Sequence, residues 1–537
     1  MSSRRAVRWS PLPLLAAFGL LCGARTAAAQ TAARAPEWRA EREVVYQIFV
    51  RSFRDGNGDR IGDLRGIREE LGYLRGLGVT TLLLTPINPS PTYHNYFASD
   101  CAGVDSAYGD TTSLRRLVES VHARGMRIWL DEECQYAVGD NPWWKESQGK
   151  PGSRYSGFIL YDGPNNTEPE PIIYNLTTLP TYDSARIPVA TVNLRDPGVL
   201  AYSESLFVSL AAPRGRSLTD GVDGFRLDHM MDDLDYKGKL KDLFADFWAP
   251  IFARVRAARP RVTFLAEQAD WGAGDDWLGR GGADLVYAFP LQRAIASFDR
   301  DSIAAAITAM VRTTPPGKGR LVFIESHDLT RFASAVGGDA RKERIGAALD
   351  VLLKGTPMIY YGQEIGMKGR QSNARLSDAN DIPDREAMRW TRGLGDPGSA
   401  IWYKGTGPWW TERFNRDSDG VSVAEEQRDS SSLLSFYRSL LALRRSRAEL
   451  ASGDERVIAT GEPGVLLVLR STSSRASLLA VNLRDAAATV RLSADSVPAS
   501  LARGRLRDLL SGAPVVSTRG GLELDLPPLG VQLVGGP

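Results

Sequence analysis

Cysteine and histidine are scarce in this sequence. Its 537 residues hold three cysteines and four histidines. No CxxC pair and no Cys/His cluster occurs, which excludes a zinc-ribbon or thiol-redox scaffold. Cys101 and Cys134 are the cysteines beyond the N-terminal segment, enough for one disulfide or two free thiols. An excess of one charge sign is also missing. Lys and Arg number 66 against 64 Asp and Glu, for a net charge of +2, so nothing marks nucleic acid as a partner. Internal repeats and low-complexity tracts are absent. Past residue 29 no apolar run is long enough to cross a bilayer.

The first 29 residues are different. Arg4, Arg5 and Arg8 precede the apolar run "PLPLLAAFGLLCGA", followed by Arg25 and "TAAAQ" with no acidic residue. This is the pattern of a secretory signal, with Ala27 and Ala29 fitting a small-x-small cleavage site. Its removal would take four arginines and bring the net charge from +2 to −2. The expectation is a secreted or periplasmic protein that leaves the membrane after cleavage.

The rest of the chain is too long for one core, so two or three domains are expected. Eight strand-like runs recur: "VVYQIFV" (44–50), "TTLLLTP" (80–86), "RIWLDEE" (127–133), "VDGFRLD" (222–228), "VTFLAEQ" (262–268), "LVYAFP" (285–290), "LVFIESH" (321–327) and "TPMIYYG" (356–362). Helix-like patterns separate most of them, at 64 onward, from Thr112, at 237–258 and at 340–354. Alternation of this kind predicts parallel strands closed into a (β/α)8 barrel over 30–134 and 191–451. Residues 135–190, rich in Gly, Pro, Asn and Tyr, read as an inserted subdomain. From 452 to 537 short alternating strands predict an antiparallel β-sandwich domain.

Active groups of such a barrel sit at the C-terminal strand ends. There the sequence places Arg226 and Asp228, Glu267, His327 and Asp328. Clustered carboxylates without a metal cage suit glycoside cleavage. One attacks the anomeric carbon, one kept protonated donates to the leaving oxygen, and a third binds and distorts the sugar. An arginine keeps the nucleophile ionised. Tyr96, Trp143, Trp144, Trp271 and Trp390 are candidate platforms for apolar sugar faces.

"DGVDGFRLD", "FLAEQ" and "FIESHDLTR" resemble three short conserved regions of the α-amylase family of retaining glycoside hydrolases. "VYQIFVRSFRDGNGDRIGDLRGI", "KGTPMIYYGQEIGM" and "DREAMRW" are similar to that family's first strand and loop, its eighth strand, and the motif that follows in oligosaccharide-acting members. The resemblance runs from 44 to about 535. It implies Asp228 as nucleophile, Glu267 as general acid/base and Asp328 as the stabilising third carboxylate. It also implies substrate binding by Arg226, His327 and Arg331, with Tyr96 stacking on the sugar and His94 nearby.

The segment "DEECQY" (131–136) stands where the family has D-x-V-x-N-H. Asp131 is kept as a substrate-binding residue. Gln135 replaces an Asn that often binds calcium, and Tyr136 replaces a sugar-binding His and is expected to bind substrate in its place. Asn95 for Gly, Ser326 for Asn, and Met231 and Asp232 for Lys and His are further departures. "DGNGDRIGD" offers Asp55, Asn57, Asp59, the Ile61 carbonyl and Asp63 as alternating oxygen ligands. It lacks the Gly and Glu of an EF-hand but resembles the calcium loop of α-glucosidase-like relatives. The expected protein is a monomeric, secreted hydrolase of α-glucans or maltooligosaccharides with a structural calcium. A transglycosylase or trehalose synthase-like isomerase, and a weakened glucan-binding protein, are the competing readings.

Overall fold

A computed structural model describes residues 42–213, 220–372, 377–502, 505–515, 517–518 and 521–536. The expected signal segment lies outside the described residues. Eight parallel strands close into a barrel: β1 (Val45–Ile48), β2 (Thr81–Leu84), β3 (Arg127–Glu132), β7 (Gly224–Leu227), β8 (Thr263–Ala266), β9 (Leu285–Tyr287), β10 (Gly319–Val322) and β11 (Thr356–Tyr360). All eight are the strands expected from the sequence. β10 stops at Val322, opposite Pro357, which has no N–H to extend the ladder. "FIESHD" therefore runs on as loop into the barrel mouth.

The two-residue period of a strand sorts side chains into two sets. Tyr46, Leu82, Ile128, Leu130, Phe225 and Phe264 face outward and join the core under the helices. Val45, Leu83, Trp129, Leu265, Leu285, Leu321 and Met358 fill the barrel interior, so it is packed rather than a pore. Counting upward in twos from Trp129 and Leu265, the inner face of β3 continues to Asp131 and then residue 133. That of β8 continues to Glu267, and that of β7 carries Arg226 and then Asp228. One periodicity thus yields an apolar floor and an ionisable top layer.

The outer helices begin where side-chain oxygens can take up their free N–H groups. Asp110 caps Thr111–His122, Asp196 caps Pro197–Ala211 and Asp339 caps Ala340–Leu352. The first of these was expected to open at Thr112; the carboxylate two residues earlier reaches the Ser113 N–H instead. Among the described residues no helix is long and apolar enough to cross a membrane.

Between β3 and β7, strands β4 (Tyr136–Val138), β5 (Thr178–Pro180) and β6 (Arg186–Thr191) form a small antiparallel sheet in the order β4-β6-β5. After the barrel, β12 (Asp454–Ile458), β13 (Val465–Ser471), β14 (Ala476–Asn482), β16 (Leu506–Asp508), β17 (Pro514–Val515) and β20 (Val531–Gly535) make one sheet. β15 (Ala488–Ser493), β18 (Ser517–Thr518) and β19 (Gly521–Leu526) make a second. Leu467, Leu478, Val490, Leu492, Leu522 and Leu524 share a buried core drawn from both sheets.

Candidate active site

Arg226 is buried at the centre of the ionisable layer. Its Nη1 donates to Asp131 Oδ1 at 2.8 Å and to Asp228 Oδ1 at 2.5 Å, and its Nη2 lies 2.8 Å from Glu267 Oε2. The strand register produces this fan. Asp131 pairs with Arg226, Arg226 pairs with Leu265, and the Glu267 N–H donates to Leu227 O at 3.0 Å. One cation thus serves three carboxylates in a water-poor layer, where full ionisation of all three is costly. Burial raises the Glu267 carboxyl from its ordinary value; Arg226 opposes the shift and Asp228 reinforces it. Asp131 is pushed up to about 7 by burial, again against Arg226 and with Asp228 adding to the shift.

Asp228, His229 and Glu267 each place one nitrogen or carboxylate oxygen within 4.8 Å of the others. The His229 N–H also donates to Glu267 Oε2 at 3.1 Å. Burial works against the His229 charge, but Asp228 and Glu267 raise its pKa. Asp328 sits across the mouth, 3.0 Å from His327 Nε2 and 3.2 Å from Arg385 Nη2. Burial acts to raise Asp328, yet the pull of His327 and Arg385 holds it well below the usual carboxylate range. Arg385 is anchored by donating to His327 O at 2.8 Å and to the Tyr93 hydroxyl at 3.0 Å.

The Tyr96 hydroxyl donates to Asp131 Oδ2 at 2.7 Å and lies 2.7 Å from His327 Nε2. The Tyr96 and His327 rings stack at 5.6 Å, and Gln47 holds the other His327 nitrogen at 3.0 Å. His94 is buried, 3.9 Å from Asp378; burial first, then Arg385, keeps it neutral. A cavity of about 330 Å³ opens over these groups. Asp228, Glu267, Asp328, His94, Tyr96, Tyr136 and His327 line it, joined by Glu133, His229, Trp271, Asp381 and Arg385. Three of the chain's four histidines face this cavity.

Three sequence expectations need correction. Arg331 does not reach the cavity. It is fully buried behind it, paired with Glu325 at 3.0 Å and lying 4.1 Å and 4.6 Å from the Tyr360 and Tyr361 ring centres. Arg385 stands beside Asp328 instead. Trp143, Trp144 and Trp390 are packing residues: Trp143 lies against Phe158 and Tyr202, Trp144 is buried, and Trp390 lies against Phe53 and Tyr73. Arg226 and Asp131 are buried and do not line the cavity themselves; they hold Tyr96, Asp228 and Glu267, which do. Arg385 was within the quoted "DREAMRW", but only the folded chain shows which arginine turns inward.

The end of β3 is rebuilt rather than damaged. Gln135 accepts from the Cys134 N–H at 2.6 Å and donates to the carbonyls of Asp228 and, at 2.9 Å, His229. Its polar atoms tie β3 to the backbone of Asp228. Tyr136 donates its hydroxyl to Asp235 Oδ1 at 2.5 Å while its ring packs against Phe97 and His229.

In the 55–63 loop, Asp55 accepts from the N–H groups of Asn57, Gly58 and Arg60, at 2.6–3.1 Å. Asp59 accepts from the Ile61 N–H at 2.8 Å, and Asp63 caps the next helix through the Gly66 N–H at 2.7 Å. These contacts wind the loop tightly. Ionised carboxylates keep further lone pairs, but Asp55, Asp59 and Asp63 are turned onto N–H groups of the loop and of the helix it leads into.

The catalytic-domain model of the α-amylase family matches residues 47–242 and 283–453, more than half the chain. A cyclomaltodextrinase from Geobacillus thermopakistaniensis is 28% identical over 93% of this chain and 78% of its own length. A probable oligo-1,6-glucosidase from Bacillus subtilis is 25% identical over 82% of this chain and 89% of its own. The crystal structure of an α-amylase from H. orenii superposes with a TM-score of 0.75 at 24% identity, covering 92% of this chain and 99% of its own. On the extent of the family match, in a barrel whose strand ends present these carboxylates, the chain belongs to the α-amylase family of glycoside hydrolases.

Proposed function

We propose that this enzyme cleaves α-glucosidic bonds in α-glucans or maltooligosaccharides by double displacement with retention. One observation carries the mechanism: oxygens of Asp228 and Glu267 lie within 4.8 Å of each other. Retaining enzymes hold their two carboxyls about 5–5.5 Å apart, whereas inverting ones leave about 6.5–9.5 Å for a water. Asp228, held by Arg226, attacks the anomeric carbon as Glu267 passes its raised-pKa proton to the leaving oxygen. Glu267, now a carboxylate, then takes a proton from the water that attacks the glycosyl–Asp228 ester. Asp328, ionised between His327 and Arg385, holds sugar hydroxyls and stabilises the positive charge that develops on the ring. The substrate class is supported by the names of the relatives, a cyclomaltodextrinase and a probable oligo-1,6-glucosidase.

Two finer parts belong to the same proposal. Asp55, Asn57, Asp59, the Ile61 carbonyl and Asp63 would hold a calcium ion that braces the loop after β1. The first 29 residues would direct export to the periplasm or medium, with cleavage after Ala29. Product analysis on maltoheptaose, pullulan, sucrose and trehalose tests the function. Glucose or short maltooligosaccharides released by wild type and not by Asp228→Asn support hydrolysis. Isomerised or transferred products in place of hydrolysis would overturn it.

A further inference from the structure

Glu133 is a carboxyl group that the double displacement does not use. Side-chain alternation puts it on the inner face of β3, two residues above Asp131. The Asp228 N–H donates to Glu132 O at 3.0 Å, so the ladder carries on past the strand ends and brings residue 133 level with Asp228. Neighbouring strands lie about 4.8 Å apart. Glu133 therefore stands beside the proposed nucleophile, and it lines the same cavity.

Its two oxygens differ. Oε2 accepts from the Phe97 N–H at 2.7 Å. Oε1 is buried with no hydrogen-bond partner, on a residue only 9% exposed. A buried polar atom left unpaired is costly, and such atoms in folded proteins call for a reason. The neighbouring position offers no substitute, because the Tyr136 hydroxyl is already committed to Asp235.

We propose that Glu133 is a specificity-determining residue whose Oε1 hydrogen-bonds a hydroxyl of the sugar ring bound over Asp228. This rests on the reading of Asp228 as the nucleophile. Burial, and then Asp228, hold the Glu133 carboxyl well above the usual carboxylate range. In its neutral form Glu133 offers an O–H donor rather than a second negative charge beside the nucleophile. A sugar hydroxyl can both accept that bond and donate onward to a neighbouring carboxylate. The pairing asks for a ring hydroxyl on the substrate and discriminates against a ring that lacks it, since the buried carboxyl would again be left unpaired.

The test uses α-glucosyl fluoride and its analogues with each ring hydroxyl removed in turn, on wild type, Glu133→Val and Glu133→Gln. Glu133→Val should lower kcat/KM on the full sugar by roughly ten- to a hundred-fold. On one deoxy analogue it should have almost no effect, and Glu133→Gln, which keeps a donor, should recover most of the loss. That ratio of ratios is internal to each variant, so partial misfolding of Glu133→Val would not produce it. An active wild type with the same discrimination against every analogue as Glu133→Val would overturn the inference. A wild type that turns over none of the fluorides would overturn the nucleophile reading and this inference with it.

Discussion

Asp228 carries the account at the scale of single residues. Asp228→Asn should lower kcat by at least about a thousand-fold, with a melting curve close to wild type, read from initial rates on maltooligosaccharides. Glu267 has a different signature. Its raised pKa means the acid form is lost as pH rises through the folded value, so kcat/KM should fall on the alkaline side. Glu267→Gln should abolish that limb and spare α-glucosyl fluoride far more than maltosides, because fluoride leaves without a proton. Equal losses on both substrates would contradict the assignment. Tyr136→Phe leaves Asp235 without its donor and should cost about 1–3 kcal/mol of stability while changing turnover little, as thermal melts and rates on one preparation would show. Asp228, Glu267, His327 and Asp328 were legible because they end strand-like runs, where a barrel collects its chemistry. Arg331 misled because "HDLTR" continues past the strand, and a side chain on a loop can turn either way. It turned into the Tyr360 and Tyr361 rings, and Arg385, from a distant segment, filled the mouth.

The end of β3 and the loop after β1 are where elements, rather than residues, decide the outcome. Gln135 links the β3 end to the carbonyls of Asp228 and His229. Gln135→Ala would leave both carbonyls without this donor and loosen the backbone of Asp228, the proposed nucleophile. A drop in kcat of about ten-fold with little change in KM is expected, and a pure KM effect would argue against it. For the 55–63 loop, a chelator should lower the melting temperature and added calcium should restore it; an unchanged melt together with a calcium-free elemental analysis would remove the ion from the account. The eight strands and their order along the chain were readable from hydrophobic periodicity. The small β4-β6-β5 sheet was not, because its strands are short and broken by turn residues, and their pairing spans about fifty residues. The role of Gln135 was hidden for another reason. Its length reads as a misfit against the family pattern, and only the register of β3 and β7 shows that the extra reach finds two carbonyls.

At the scale of the whole molecule, the chain keeps many acids away from water. Burial, against or with nearby charges, pushes Asp131 to about 7, Glu132 to about 8, Asp384 to about 8 and Glu386 to about 7. The folded state thus holds these protons more tightly than the unfolded chain, whose carboxyls titrate near about 4. Their contribution to stability is full below that value and is lost as pH rises through about 7 and 8. Asp328, shifted the other way, loses its contribution only in strong acid. The melting temperature should therefore be higher near about pH 5.5 than near about pH 8.5, which bracket these values, and a rise over that interval would contradict the burial described. The most direct test of the central claim is the anomer first released from an α-linked maltooligosaccharide, followed by proton NMR before mutarotation. Paired carboxylates this close predict the α anomer; an initial β anomer would show that water attacks directly and that Asp228 is not the nucleophile.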